Sequence, residues 1–143
     1  PRDNYNLESS HVIPAIIHKC YLAKRDGTDL NLWGTGKPYR EFIYSEDLGY
    51  LSQWALENYD DSEPLVLSVD EEINMDVLAN AICHRMGFTG KIVYNGEMEG
   101  QMRKPSDNSK LKALLPDFKF TPIEKGLQES IDWFVSNYEE CRK

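Results

Sequence analysis

The sequence predicts a small α/β fold in which helices pack around a few short strands. Short apolar runs of strand length alternate with longer stretches whose apolar residues recur at helical spacing. Clusters of glycine, proline and aspartate separate them, as turns require. Only about four runs read as strands, too few for a full doubly wound sheet and better suited to a lid or substrate domain.

In chain order, Ser9 and Ser10 precede His11–Arg25, where Val12, Ile13, Ile16, Ile17, Cys20 and Leu22 or Ala23 follow a helical stripe. A serine cap, Pro14 in the first turn and Lys24–Arg25 in the last agree with that helix and its dipole, and Asp26–Gly27 ends it. Two apolar runs, Leu30–Trp33 and Phe42–Tyr44, then flank a turn holding Gly34, Gly36, Lys37, Pro38 and Arg40. Ser45 caps a second helix, Glu46–Asn58, with Leu48, Leu51, Ala55 and, as a further candidate, Trp54 on its buried side. Leu65–Val69 is a continuous apolar run of the kind found in a strand covered on both faces.

Met75–Met86 reads as a helix through Val77, Leu78, Ala81 and Ile82, stopped by Gly87, and Lys91–Tyr94 as another strand. Residues 96–105 carry Arg103 and Lys104 without any period and form a loop before a short helix at Asp107–Leu115. Thr121 to Glu124 is a capping box with Pro122 in the first helical position. The stripe after it is Ile123, Leu127, Ile131, Phe134, Val135 and Tyr138.

Composition narrows the function classes. A net charge of −8, from 24 acidic against 16 basic residues, argues against a general nucleic-acid surface, so any anion site must be a local basic cluster. Cys20, Cys83 and Cys141 are widely spaced with no Cys-x-x-Cys. They signal neither a disulfide framework nor a zinc site and fit a reducing cytosol. No apolar run approaches the ~18 residues of a membrane span, so no membrane partner and a soluble, cytoplasmic protein are expected. The chain opens at Pro1 without an initiator methionine, as a piece of a longer polypeptide cut at a domain edge would.

The chemistry concentrates at the glycine turn. Arg40 offers a planar fork of donors matched to phosphate oxygens, and Trp33 a flat apolar face for a planar ring; ring plus phosphate suggests a nucleotide. The alternative is a plain hairpin connection with Trp33 in the core and Arg40 solvated. The turn is not a dinucleotide fingerprint, because Tyr39 stands where the third glycine belongs and a strand-like run follows; nor is it a P-loop. No Gly-x-Ser-x-Gly and no His-Glu-x-x-His occurs, while Cys83–His84 and His18–Cys20 diverge on their helices. His11 opens the first helix, where anions are stabilised and an imidazole can exchange protons near neutral pH. Taken singly, His11 reads as a structural or merely exposed residue, and Lys19, Lys37, Arg103 and Lys104 as ordinary solvated charge. Only convergence in space would change that.

Several stretches together resemble one family. They are Pro1–Asn6, Ser10–Ala15, Leu32–Leu48, the Arg103–Lys104 pair and Asn108–Leu111. In combination they resemble the carboxy-terminal part of the GDP-L-fucose synthase family, in the extended short-chain dehydrogenase/reductase superfamily. The run from Arg40 to Asp47 is shared widely among nucleotide-sugar epimerases and dehydratases, whereas His11–Pro14 followed by Trp33–Gly36 is more particular to this family.

The resemblance implies a single substrate-binding domain over residues 1–143 for GDP-4-keto-6-deoxy-mannose, which the family converts to GDP-L-fucose by 3,5-epimerisation and NADPH-dependent 4-reduction. It implies that His11 is the acid/base. Lys19, Arg40 and Lys104 would hold the diphosphate and ribose side of GDP, and Val12, Ile16, Leu32 and Trp33 would wall the nucleotide. The family's NADP-binding Rossmann domain, with its Gly-rich turn and Tyr-x-x-x-Lys pair, is absent from these residues. No cofactor is therefore expected here, the isolated chain is expected to be inactive, and the parent is expected to be a homodimer through the missing domain. None of Cys20, Cys83 and Cys141 matches the position of the cysteine that the resemblance would pair with His11. A sister enzyme acting on another nucleotide sugar, or a non-catalytic regulatory homologue, remains an alternative at this level.

Overall fold

The computed structural model describes residues 1–97 and 100–143. It contains five helices and four three-residue strands among those residues, in the expected alternation. Helix α1 spans Val12–Asp26 and ends where Gly27 turns left-handed at φ 67°, its N–H returning to the Ala23 carbonyl. Strand β1, Leu30–Leu32, pairs in parallel with β4, Ile92–Tyr94, joining Leu30 to Ile92 and Leu32 to Tyr94.

Strand β2, Tyr39–Glu41, runs antiparallel to β3, Glu72–Asn74, with Arg40 opposite Ile73. The expected strand at Phe42–Tyr44 is therefore displaced toward the turn. The ladder partner lies at Glu72–Asn74, which leaves Phe42 to pack on the core.

Helices α2 (Ser45–Asn58), α3 (Met75–Arg85), α4 (Ser109–Leu114) and α5 (Ile123–Ser136) fall where periodicity placed them. The core lies between α1, α3 and α5. Ile17, Leu78, Ile82 and Phe134 are wholly buried there, and each full burial contributes roughly 1.5–3 kcal/mol. The amino-terminal segment closes one side: Tyr5 packs 4.5 Å from the Phe134 ring, its N–H donates to the Arg142 carbonyl, and its own carbonyl lies 2.8 Å from Nδ1 of the buried His18.

Several local expectations fail. Ser45 does not cap α2, because Tyr44 is the N-cap and Ser45 already begins the helix. No serine caps α1. His11 is the N-cap and makes no side-chain cap bond; the Ser9 hydroxyl donates to Asn6 within the preceding loop, and the Ser10 hydroxyl is buried without a partner. The Thr121–Glu124 capping box does not form, because both the N–H and the hydroxyl of Thr121 donate to the Asp47 carboxylate of α2 instead. Leu65–Val69 is not a strand, since no strand lies beside it among the described residues. Its Ser68 carbonyl accepts from the Asn108 amide, and Val66 is 41% exposed. Of the expected buried side of α2, only Leu51 is buried.

No described helix is long and apolar enough to cross a membrane.

Candidate functional site

The site is built from α1, β1 and the glycine turn, with the amino end of α3 as its support. Because α1 is helical, Val12, Ile16 and Lys19 project from successive turns of one face, and His11 stands at its start. Opposite them, β1 delivers Leu32 and then Trp33 into the turn. Gly34 and Gly36 both have positive φ, 75° and 76°, so the backbone reverses within three residues.

Helix α3 fixes that turn. The Asp76 and Met75 amides donate to the carbonyls of Gly36 and Pro38, both at 2.9 Å, and the Asn74 side chain donates to the Lys37 carbonyl at 2.8 Å. The Asn74 side-chain oxygen, in turn, accepts from the Asp76 and Val77 amides, so a single residue caps the helix and anchors the turn. Tyr94, on β4, donates to Asp76 at 2.9 Å and presses its ring against Gly36, where an added Cβ would lie 2.8 Å from Tyr94 Cζ.

The result is a cleft of about 530 Å³, within the range of small-molecule sites. His11, Val12, Ile16, Lys19, Leu32, Trp33 and Arg40 line it together, so seven of the eight residues singled out in the sequence share one wall system. Lys104 does not. It is exposed on the 100–106 segment, outside the lining, although Gly100 of that segment reaches the cleft beside the Arg40 guanidinium.

Trp33 is 57% exposed rather than a core residue, with the Lys19 ammonium 4.6 Å from its ring centroid. Burial lowers the Lys19 pKa below the ordinary lysine value. Arg40 donates to the Tyr39 carbonyl at 2.6 Å, which leaves other N–H groups of its fork available. Lys19 and Arg40, with the His11 imidazole, border an apolar-walled cleft that Glu8 and Glu41 also line. The two cations beside the exposed Trp33 ring suit an anion that also carries a flat ring.

Sequence reading missed Ser10, Glu41, Phe42, Met75 and Tyr94, all of which line the cleft. Ser10 carries an unpartnered buried hydroxyl next to His11, but in sequence it looked like one more cap candidate. Tyr94 sits 58 residues after Gly36, and only the β1–β4 pairing brings the two together. A second hollow, of about 690 Å³ and lined by the amino-terminal segment, α2 and α5, shares His11, Val12, Glu41 and Phe42 with the first. His11 thus stands on the ridge between the two. No group of three metal-ligating side chains occurs among the described residues.

Residues 1–70 match the NAD dependent epimerase/dehydratase family. The GDP-L-fucose synthase of Dictyostelium discoideum is 47% identical across the whole of this chain, which covers 46% of that protein; the probable GDP-L-fucose synthase of Drosophila melanogaster is 38% identical, again over the whole chain and 48% of the relative. The crystal structure of a GDP-L-fucose synthetase from Naegleria fowleri bound to NADP superposes with a TM-score of 0.96 at 41% identity, covering all of this chain and 46% of that one. The chain spans about half the length of these relatives. By sequence and by fold, the chain is similar over its whole length to about half of proteins named GDP-L-fucose synthase.

Proposed function

We propose that this chain is the substrate-binding half of a GDP-L-fucose synthase, an enzyme that turns GDP-4-keto-6-deoxy-mannose into GDP-L-fucose by 3,5-epimerisation and NADPH-dependent 4-reduction. The observation that carries the reading is the convergence of His11, Lys19, Trp33 and Arg40 on one cleft, in a chain 47% identical to a protein of that name. Trp33 stacks on the guanine, Val12, Ile16 and Leu32 complete the apolar wall, and Lys19 and Arg40 neutralise the diphosphate. Lys104, outside the lining, serves the outer, ribose edge.

His11 acts as the acid/base at the sugar. The 4-keto group acidifies the protons on the two neighbouring carbons, and an imidazole on the ridge between the hollows can return a proton to the opposite face. NADPH, when bound, supplies hydride to the keto carbon. The glycine turn leads into β2 rather than opening a helix, so it does not match a dinucleotide fingerprint, and in this reading NADPH is held by the cofactor half of the enzyme. That half docks on the second hollow and on the uncovered face of α2, and also supplies the homodimer contact.

Calorimetric titration with GDP, UDP and dTDP tests the nucleotide. GDP should bind tightest, and Trp33→Ala should weaken it about five- to a hundredfold, the range of one aromatic–base stack. Tighter binding of either pyrimidine nucleotide overturns the assignment. In the polypeptide that includes the cofactor half, His11→Asn should lower epimerisation by about a hundredfold or more while GDP affinity stays nearly constant. Equal loss of both would make His11 a binding residue.

A further inference from the structure

Cys20 on α1 and Cys83 on α3 have no role in the cleft, yet their sulfurs lie 3.9 Å apart in the core, where the two helices pack. Three cysteines scattered over more than a hundred residues give no sign of this pairing, which the fold alone creates. Cys20 is fully buried. Cys83 is 6% exposed and lines a separate hollow of about 580 Å³ between α3 and β4, together with Asn80, Phe88 and Tyr94.

We propose that Cys20 and Cys83 form an oxidisable thiol pair that a small peroxide, entering from the Cys83 side, converts into a disulfide joining α1 to α3. Closing from 3.9 Å to the roughly 2.05 Å of a disulfide requires a shift of under two ångströms, shared between two helices. Access sets the order of events, since Cys83 lines the hollow and Cys20 does not. The hydrogen bond from Cys20 to Cys83 acts in the same direction: it keeps the Cys20 thiol protonated, with burial adding to the effect, and lowers the Cys83 pKa from its ordinary value against the opposing effect of burial.

Cys83 is then the first to react. Its thiolate attacks the peroxide, breaking the O–O bond, and leaves as a sulfenic acid with release of hydroxide. The Cys20 sulfur attacks that sulfenic sulfur, the new S–S bond forms, and the sulfenic oxygen departs as water with the Cys20 proton. Peroxide is the two-electron oxidant, and both thiols are oxidised.

The bridge joins the two walls of the cleft. Cys20 directly follows Lys19, and α3 holds the glycine turn through the Asp76 and Met75 amides. Oxidation therefore fixes the separation of the face bearing His11 and Lys19 from the turn bearing Trp33.

The test is intact-mass and non-reducing peptide analysis after graded hydrogen peroxide, without nucleotide, so that its outcome is independent of the functional reading above. The folded chain should lose two hydrogens, keep a single titratable thiol at Cys141, and yield a peptide joining Cys20 to Cys83 that a dithiol reductant separates. In Cys20→Ala the reaction should stop at a Cys83 sulfenic acid that a cyclic diketone probe captures, whereas Cys83→Ala should leave Cys20 unmodified. Conversion of Cys83 to sulfinic acid without a crosslink, or a wild-type chain whose Cys20 and Cys83 stay reduced until the protein unfolds, would overturn the proposal.

Discussion

Helices α1 and α2 are nearly equal in length, 15 and 14 residues, and in sequence both look amphipathic, yet six residues of α1 are buried and only one of α2. Helix α1 is enclosed by α3, β1 and an aromatic cluster in which Phe134 lies within 6 Å of the rings of Tyr5, His18, Tyr21 and Tyr138. Helix α2 is tethered by polar bonds, from Thr121 to Asp47 and, just before the helix, from Tyr44 to Glu129, together with the wholly buried Leu51 and a Tyr50–Phe118 stack. It leaves Leu48, Tyr50 and Leu56 exposed. The contrast teaches that an apolar stripe specifies a face but not its partner. The exposed apolar side chains of α2 are part of the proposed seat of the cofactor half.

Mutations can break or sharpen that contrast. The largest effect is expected at Phe134→Ala, where loss of a wholly buried ring should cost about 3–5 kcal/mol in denaturant unfolding. A loss under about 1 kcal/mol would mean that the α1–α3–α5 core is not the stabilising unit. Gly36→Ala comes next. A Cβ at φ 76° lies 2.8 Å from Tyr94, so about 1–3 kcal/mol should be lost, and nucleotide binding should weaken as the turn moves.

At Leu56→Ala, 88% exposed on α2, the change in this chain should stay within about 0.5 kcal/mol. The same substitution should destabilise the longer polypeptide measurably, and an equally small effect there would argue that this face is not covered. The smallest effect concerns Asp70, whose carboxylate is held below the usual range by the Lys112 ammonium and then the Asn108 amide. A depressed pKa lends stability that is present above about pH 4 and is lost as pH falls through the native value. Asp70→Asn should remove that part of the acid sensitivity while leaving stability at pH 7 nearly unchanged, because the pair is exposed. Thermal melts between pH 3 and pH 7 would read it.

Much of this was legible in the chain. Gly27 had to end α1 because only a residue without a Cβ takes the left-handed turn at no cost, and it does. The same local logic located α3 before Gly87 and α5 after Pro122. Reading failed where a local signal met a distant competitor. Thr121 carried every mark of an N-cap and was taken by Asp47, 74 residues away. Leu65–Val69 had the composition of a buried strand, but a strand exists only where another supplies hydrogen bonds.

The division follows from the range of the forces involved. Spacing, caps and backbone freedom act over a few residues, so the sequence by itself determined the helices, their apolar faces and the residue types able to bind an anion. Whether His11, Lys19, Trp33 and Arg40 meet, and whether Cys20 touches Cys83, depends on packing between elements tens of residues apart. Side-chain volume and cross-strand pairing decide that only once the chain has folded.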